Sequence, residues 1–448
     1  MTRVFSGTAE TGPGRSPPGT VRVMIIASRL PVLAALAFIA ALPACASPAA
    51  LGLHPVDGVL DSRTQRTCSF EDMAQDLARV RMVFVGESHT NPEHHQIQLR
   101  ILAAMADRRP HLMVGMEMFE RSYQPVLDRW SAGEISEPDF LRESNWYGQW
   151  GDWDLYGPIL RLARDRHIGV VALNTNRAII REINRVGLAN LPAWMRAQIP
   201  AVIDTSVKAH EKSIREIFFS HPGMEAEEER FRRFYEAQCT WDETMAESAV
   251  AALAADGRPD AAIVVLAGGM HVKDFFSMPE RARRRNGLDY RVVLPWAREE
   301  FPKEGFTVGP GRPADYMLFT GPSRDPSSPR LGVDMRGGDT LVKMVAEGST
   351  AAEAGLRPGD LLLSLDDVAV RDTVDIRLAL EGRKPGDRVR VRWSREGAAM
   401  EGAGTLKEPP PMFGPPAPKK EEPKDAPTKK EEPKGPPPPD APPKAPPK

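Results

Sequence analysis

Apolar positions divide the chain into distinct regimes. Residues 30–44, LPVLAALAFIAALPA, form one unbroken apolar stretch. It is too short for a spanning helix and has the length of a signal-peptide apolar region. Between residues 52 and 320, short runs rich in Val, Ile and Leu alternate with stretches of helical periodicity. That alternation predicts an α/β domain with a mostly parallel sheet, flanking helices and a helical insert. Five runs, 83–85, 112–116, 168–173, 263–267 and 291–294, read as buried parallel strands. Asn91-Pro92 reads as the cap and first residue of a helix carrying Ile97, Ile101 and Met105 at four-residue spacing. Residues 178–255 read as mostly helical. Residues 321–330, GPSRDPSSPR, read as a linker, and 331–405 as a small, Gly-punctuated, β-rich domain. In residues 406–448 Pro, Lys and Glu dominate, with KKEEPK at 419–424 and again at 429–434. Such a tail buries no apolar surface and is expected to be extended and disordered.

Composition narrows this picture. A chain of 448 residues suggests two or three domains, and 41% hydrophobic content supports a sizeable core. Lys+Arg 59 against Asp+Glu 61, a net charge of −2, argues against nucleic acid as a partner. Three cysteines exclude a disulfide scaffold and any four-cysteine metal site. Arg22 and Arg29 flank the apolar stretch, and Met24 reads as an alternative start that leaves a signal of conventional length. The stretch ends in LPAC, where Cys45 resembles the lipidated cysteine of a lipobox. The competing reading is ordinary secretion, with cleavage at the small-x-small pattern Ala44-Cys45-Ala46. Residues 1–45 are an export signal on either reading, and the first predicts a periplasmic, membrane-anchored lipoprotein. Cys68 and Cys239 then remain, either as a disulfide or as two separate thiols.

Each of the first four strand runs ends in glycine or polar residues, and in open α/β sheets ligands sit beyond the carboxyl ends of the strands. The pattern therefore gathers Glu87, His89, Glu117, Asn174, Arg177 and His271 on one rim. The N-terminus of the helix at Asn91-Pro92 favours an anion there. Glu87 and Glu117 favour a cation instead, and both readings stay open. His94 and His95, in the first turn, read as capping or solvent-facing, and His210 and His221 as exposed. In EMFER, one of Glu117 and Glu120 is expected to neutralise Arg121 and the other to face the pocket. Trp146, Trp150 and Trp153 recur at helical spacing, as the core of an insert or as an aromatic wall for a flat ligand. Gln238 and Asp242 share a helix face. Because His89 and His271 lie on strand-end loops, replacing either by Ala is expected to cost little stability.

The series GESHTNPEHHQIQ, GMEMFERSYQPVLDRW, ALNTNR, QCTWDETMA, GGMH and ADYMLF, in that order over residues 55–320, resembles the ChaN-like haem-binding lipoprotein family. Shorter elements, GESH, EMFER and GGMH, resemble the wider superfamily that includes erythromycin-esterase-like hydrolases and the TIKI/TraB group. The resemblance implies haem as cofactor, with Glu87, His89, Glu117, Arg121, Asn174, Arg177 and His271 around it. It also implies a homodimer in which haems meet at the subunit contact. The iron ligand stays open among a Tyr, His89 and His271. The wider resemblance implies the alternative of a hydrolase, in which Glu87, His89, Glu117 and His271 work on protons or on a divalent metal ion.

Residues 331–405 resemble a PDZ domain of the periplasmic-protease type. Leu331-Gly332-Val333 matches its carboxylate-binding loop, and the segments 348–352, 354–356 and 359–360 match its middle signature. The resemblance implies capture of protein C-termini or extended peptides by strand addition. Val374 and Leu378, on a helix at 373–381, are the expected groove wall. The linker predicts two independent cores. No GxSxG accompanies the domain, so no serine protease is implied. Two readings lead: a membrane-anchored haem binder for uptake or storage with a PDZ tether, and a hydrolase. A scaffold whose pocket has lost its function is the third.

Overall fold

A computed structural model describes residues 58–220, 227–298, 312–321, 329–335 and 340–407. Cys45, the signal, His221, most of the linker and the tail beyond Lys407 lie outside the described residues. Eight strands form the first sheet: β1 (Val59–Asp61), β2 (Arg66–Cys68), β3 (Met82–Val85), β4 (Leu112–Glu120), β5 (Gly169–Asn174), β6 (Ala262–Leu266), β7 (Tyr290–Ala297) and β8 (Tyr316–Thr320). Their order is β2-β1-β8-β7-β3-β6-β4-β5. All five predicted runs are strands of the parallel part, and β3 is central, paired in parallel with β6 and β7. Along β3, Val83 and Val85 point into one core and Met82 and Phe84 into the other, as the two-residue period of a strand requires. The helices Pro92–Ala106, Gln124–Ser131 and Trp153–Asp165 cover the first face, and Glu228–Asp256 and Met278–Asn286 the second.

The sequence reading missed three strands. β8 extends the parallel part beside β7, while β1 lies antiparallel on β8 and β2 on β1. β1 and β2 are three residues each, too short to carry a buried-strand signature. Asp76 ties this edge together, bonded by Tyr316 Oη (2.7 Å), Arg63 (3.0 Å) and Arg291 (2.8 Å).

The second domain has β9 (Val333–Asp334), β10 (Met344–Val345), β11 (Leu361–Leu365), β12 (Val368–Ala369), β13 (Arg388–Arg395) and β14 (Ala398–Thr405), with helices Thr350–Ala354 and Thr373–Leu380. Its core contains Leu331, Leu362, Ile376, Val391 and Trp393. Gly332 sits at φ +83°, and a Cβ there would stand 2.3 Å from the Ser349 Cβ, so the loop demands glycine.

Two expectations fail here. The groove face of the helix Thr373–Leu380 presents Thr373, Ile376, Arg377 and Leu380, three or four residues apart. Val374 and Leu378 lie on the other side and pack into the core of the first domain. The cores are therefore not independent. Arg142 of the first domain pairs with Asp372 and Asp375 (2.6 Å each), and Arg161 with Glu381. Among the described residues no helix is long and apolar enough to cross a membrane.

Candidate functional site

The carboxyl end of β3 runs into Gly86. A Cβ at this position would come within 2.6 Å of Leu294 and 2.8 Å of Val272, so any other residue would have to displace these two side chains. The turn buries Glu87. Its Oε1 accepts from the Tyr156 hydroxyl (2.6 Å) and meets His89 Nδ1 (2.8 Å). His95 Nδ1 stands 3.3 Å from Oε2, which has no hydrogen-bond partner among the described residues. Burial alone pushes the Glu87 carboxyl up, but His95, His89 and the Tyr156 hydroxyl outweigh it and bring it down to about 2. Burial pulls His89 down, and the bond and charge of Glu87 overturn that, raising it above the usual imidazole value.

His94 and His95 are buried rather than solvent-facing, because their helix packs its first turn beneath the loop. His94 Nδ1 accepts from the Ser88 amide (2.8 Å), so its Nε2 donates to Thr320 Oγ1 (3.1 Å). Burial and the neighbouring His95 lower it to about 4, and it serves the loop as a neutral strut. His95 Nε2 donates to the His89 carbonyl (3.1 Å), pinning the residue that carries the exposed ring.

A second cluster faces the first across the end of β6. Strand β4 loses register between Met116 and Glu120, and this break aims Glu117 at the neighbouring loop. Glu117 Oε2 accepts from the Gly268 amide (2.7 Å), and its Oε1 is 3.6 Å from His271 Nε2. His271 Nδ1 bonds Asp242 (2.7 Å), whose other oxygen is 3.5 Å from His210. Burial lowers His271, but Glu117 and Asp242 raise it to about 9. His210 is buried, not exposed, because Arg281 and Cys239 enclose it. Gly268 joins the clusters: a Cβ there would stand 3.0 Å from the His89 ring and 3.6 Å from Glu117.

These shifts set a pH window. His271 titrates above its ordinary 6.5 in the fold, so its stabilisation is complete below pH 6.5 and is lost as pH rises through 9. Glu87 titrates below its ordinary 4.5, so its share is complete above pH 4.5 and is lost as pH falls through 2. His94 titrates below 6.5, so its share is lost as pH falls from 6.5 through 4. Unfolding free energy should therefore peak near pH 6.5 and fall by on the order of 3 kcal/mol toward pH 9. Denaturant titrations at a series of pH values check this, and a flat profile from 6.5 to 9 contradicts it.

The remaining expected residues divide. Asn174 donates to the Glu117 carbonyl (3.1 Å), and Arg177 lies over the Trp150 ring (5.4 Å). Arg121 leaves the site. It bonds Ser248 (2.7 Å), the Thr244 carbonyl (2.8 Å) and Glu247 (3.1 Å), all on the helix Glu228–Asp256. Neither Glu117 nor Glu120 neutralises it, since Glu120 instead caps the Arg177 amide. Trp146 and Trp153 are core, whereas Trp150 packs edge-on against His89 at 5.0 Å. Both cysteines are free, Cys68 on the edge strand β2 and Cys239 in the buried cluster around His210. Sequence reasoning missed Tyr156, His95 and His210 as site members. Asp242 was placed only by its shared face with Gln238.

A cavity of about 550 Å³ is bounded by Glu87, His89, Gln238, His271, Lys273 and Trp296. A second, of about 330 Å³, opens on the other side of His89 toward Tyr147 and Trp150. The His89 side chain is 49% exposed. Its Nε2 makes no hydrogen bond among the described residues, so this imidazole, oriented through Nδ1 by a carboxylate, suits an axial ligand of haem iron. A bare divalent ion fits less well: among the described residues no group of three or more His, Cys, Asp or Glu is spaced to hold one.

Residues 73–282 match the family described as haem-binding uptake, Tiki superfamily, ChaN. The match covers most of the first domain. Residues 329–401 match the PDZ domain family. Among solved structures, the chain is similar to ChaN of Campylobacter jejuni with cofacially bound haem, at 20% identity and TM-score 0.48, over 59% of this chain and 98% of that one. It is also similar to an erythromycin esterase in its open conformation, at 16% identity and TM-score 0.33, over 60% and 83%. The HtrA-type protease AlgW with a decapeptide matches at 21% identity and TM-score 0.17, over 19% of this chain and 30% of that one. The chain thus spans under a third of that protease. No curated protein matches at comparable significance.

Proposed function

We propose that this is an exported, membrane-anchored haem-binding protein serving haem uptake or storage, whose PDZ domain takes protein chain ends. The observation that carries the reading is the His89 imidazole, held by buried Glu87 and left open at Nε2 between two cavities. Haem bound here would bring its iron to an imidazole made more basic by the carboxylate behind it. Trp150 offers an aromatic edge beside that ring, and Arg177 a cation beyond it. Pairing of two copies around their haems belongs to the same reading. Titrating purified protein with haem should give a Soret shift that saturates at a fixed stoichiometry. An unshifted spectrum at saturating haem overturns the reading.

The His271–Asp242 pair, with Glu117 beside it, favours a second reading as a hydrolase, since a buried carboxylate-held imidazole near a further carboxylate suits proton transfer. Hydrolysis of ester or amide substrates without any haem spectrum selects it.

Anchoring rests on the apolar run ending at Cys45. Replacing it, Cys45→Ala, should move the protein from the membrane to the soluble fraction of cells. A wild-type protein already soluble, or a variant that stays with the membrane, removes the anchor from the proposal.

A further inference from the structure

We infer that Arg330 and Arg377 of the PDZ domain form the carboxylate-binding end of the His89 pocket, so that both domains hold the first domain's ligand. The inference rests on the haem reading and adds to it where the ligand's anionic edge goes. The 330 Å³ cavity beside His89 is lined from the first domain by Tyr147, Trp150 and Asp152, and from the second by Arg330 and Arg377. Arg142, Arg161 and Arg371 each meet a carboxylate, whereas Arg330 and Arg377 make no ion pair among the described residues.

The second domain is held in place there. Val374 and Leu378 pack into the first domain's core on the same helix that carries Arg377. The Arg377 guanidinium lies over the Tyr147 ring at 5.5 Å. Among the described residues Asp152 is the only carboxylate lining the cavity, against two guanidiniums and the imidazole of His89. Burial, then the like charge of Arg330, draws Arg377 below the usual arginine range, although Tyr147, Asp152 and Asp154 act the other way. Two cations held together at the end of a cavity are stabilised by an anionic guest, and a guanidinium suits a carboxylate in particular.

The guest must therefore be amphipathic, with an apolar body for Trp150 and Tyr147, a group for His89 Nε2 and carboxylates on one edge. Haem has this chemistry through its two propionates. A competing occupant is a peptide terminus, because Tyr147, Arg330 and Arg377 also line the PDZ groove with Leu331 and Gly332.

The test uses the full chain, titrated with haem and with haem dimethyl ester, whose propionates carry no charge. The double variant Arg330→Gln, Arg377→Gln should bind haem at least about tenfold more weakly, as lost charged hydrogen bonds imply. Its affinity for the ester should equal that of the wild type, and lysine at both positions should restore most haem binding. A double variant that binds haem as tightly as the wild type overturns the assignment, even if it loses affinity for a peptide with a free C-terminus. Equal loss for haem and ester also overturns it, since that pattern marks structural damage. If the wild type binds neither porphyrin, the haem reading falls and this inference with it.

Discussion

Glu243→Gln should lower the unfolding free energy by about 3–5 kcal/mol, the cost of leaving a buried charge without its partner. Arg281 is fully buried, and its guanidinium donates to Glu243 Oε1. Arg285 reaches the other oxygen at 2.5 Å, and Arg284 stands at 3.5 Å. One buried carboxylate thus serves three guanidiniums between the helices Glu228–Asp256 and Met278–Asn286. Gln keeps the volume and removes the charge, so the loss measures electrostatics rather than a cavity. Asp242 remains near Arg281 and limits the damage. The same arrangement should keep Cys239 unreactive, since burial pushes its thiol up to about 12 despite the pull of Arg281. Urea unfolding of wild type and variant measures the difference, and a change under about 1 kcal/mol means that the pair is dispensable. Glu243 lines neither cavity, so a folded variant should still bind haem.

His89→Ala should weaken haem binding by more than the roughly 10–100-fold expected for Glu87→Gln, because partners behind a metal ligand typically cost that much and His89 would be the ligand itself. The Soret position should shift as well, since an axial ligand changes and not only an affinity. Folding should change only modestly, because the ring is half exposed and Tyr156 and His95 still hold Glu87. Identical spectra and affinity for His89→Ala and wild type remove this residue from the site. His271 does not share this tolerance, contrary to the expectation from its place on a loop. It is buried, and its removal leaves Asp242 without the 2.7 Å bond that holds it. His271→Ala should therefore destabilise the fold before it informs on binding.

Much of the site was legible because chemistry at strand ends leaves a local trace. Glu87, His89, Glu117 and His271 follow apolar runs directly, and the order of a parallel sheet brings such ends together. Tyr156 and His95 left no such trace. Each looks like an ordinary helix residue, and only the crossing of the helices Pro92–Ala106 and Trp153–Asp165 over β3 turns both toward Glu87. Arg121 shows the reverse error. Its place in EMFER suggests a role beside Glu117, but Arg121 lies past the end of β4, on the 3-10 turn Arg121–Tyr123, where its guanidinium meets the helix behind the sheet.

The sequence by itself determined the α/β class, the five parallel strands, the cap at Asn91 and the succession of a haem-binding-family domain and a PDZ domain. Hydrophobic period, capping chemistry and motif order act over a few residues or survive as a linear pattern. Tertiary structure alone decided which face of the helix Thr373–Leu380 meets the groove, which tryptophan stands beside His89 and which carboxylates hold the histidines. It also decided that the two domains share packing. Those outcomes depend on charges and surfaces brought together from positions more than a hundred residues apart, such as Arg142 with Asp375 and Glu117 with Gly268. A buried carboxylate takes whichever partner the packing presents, and no local pattern along the chain records that choice.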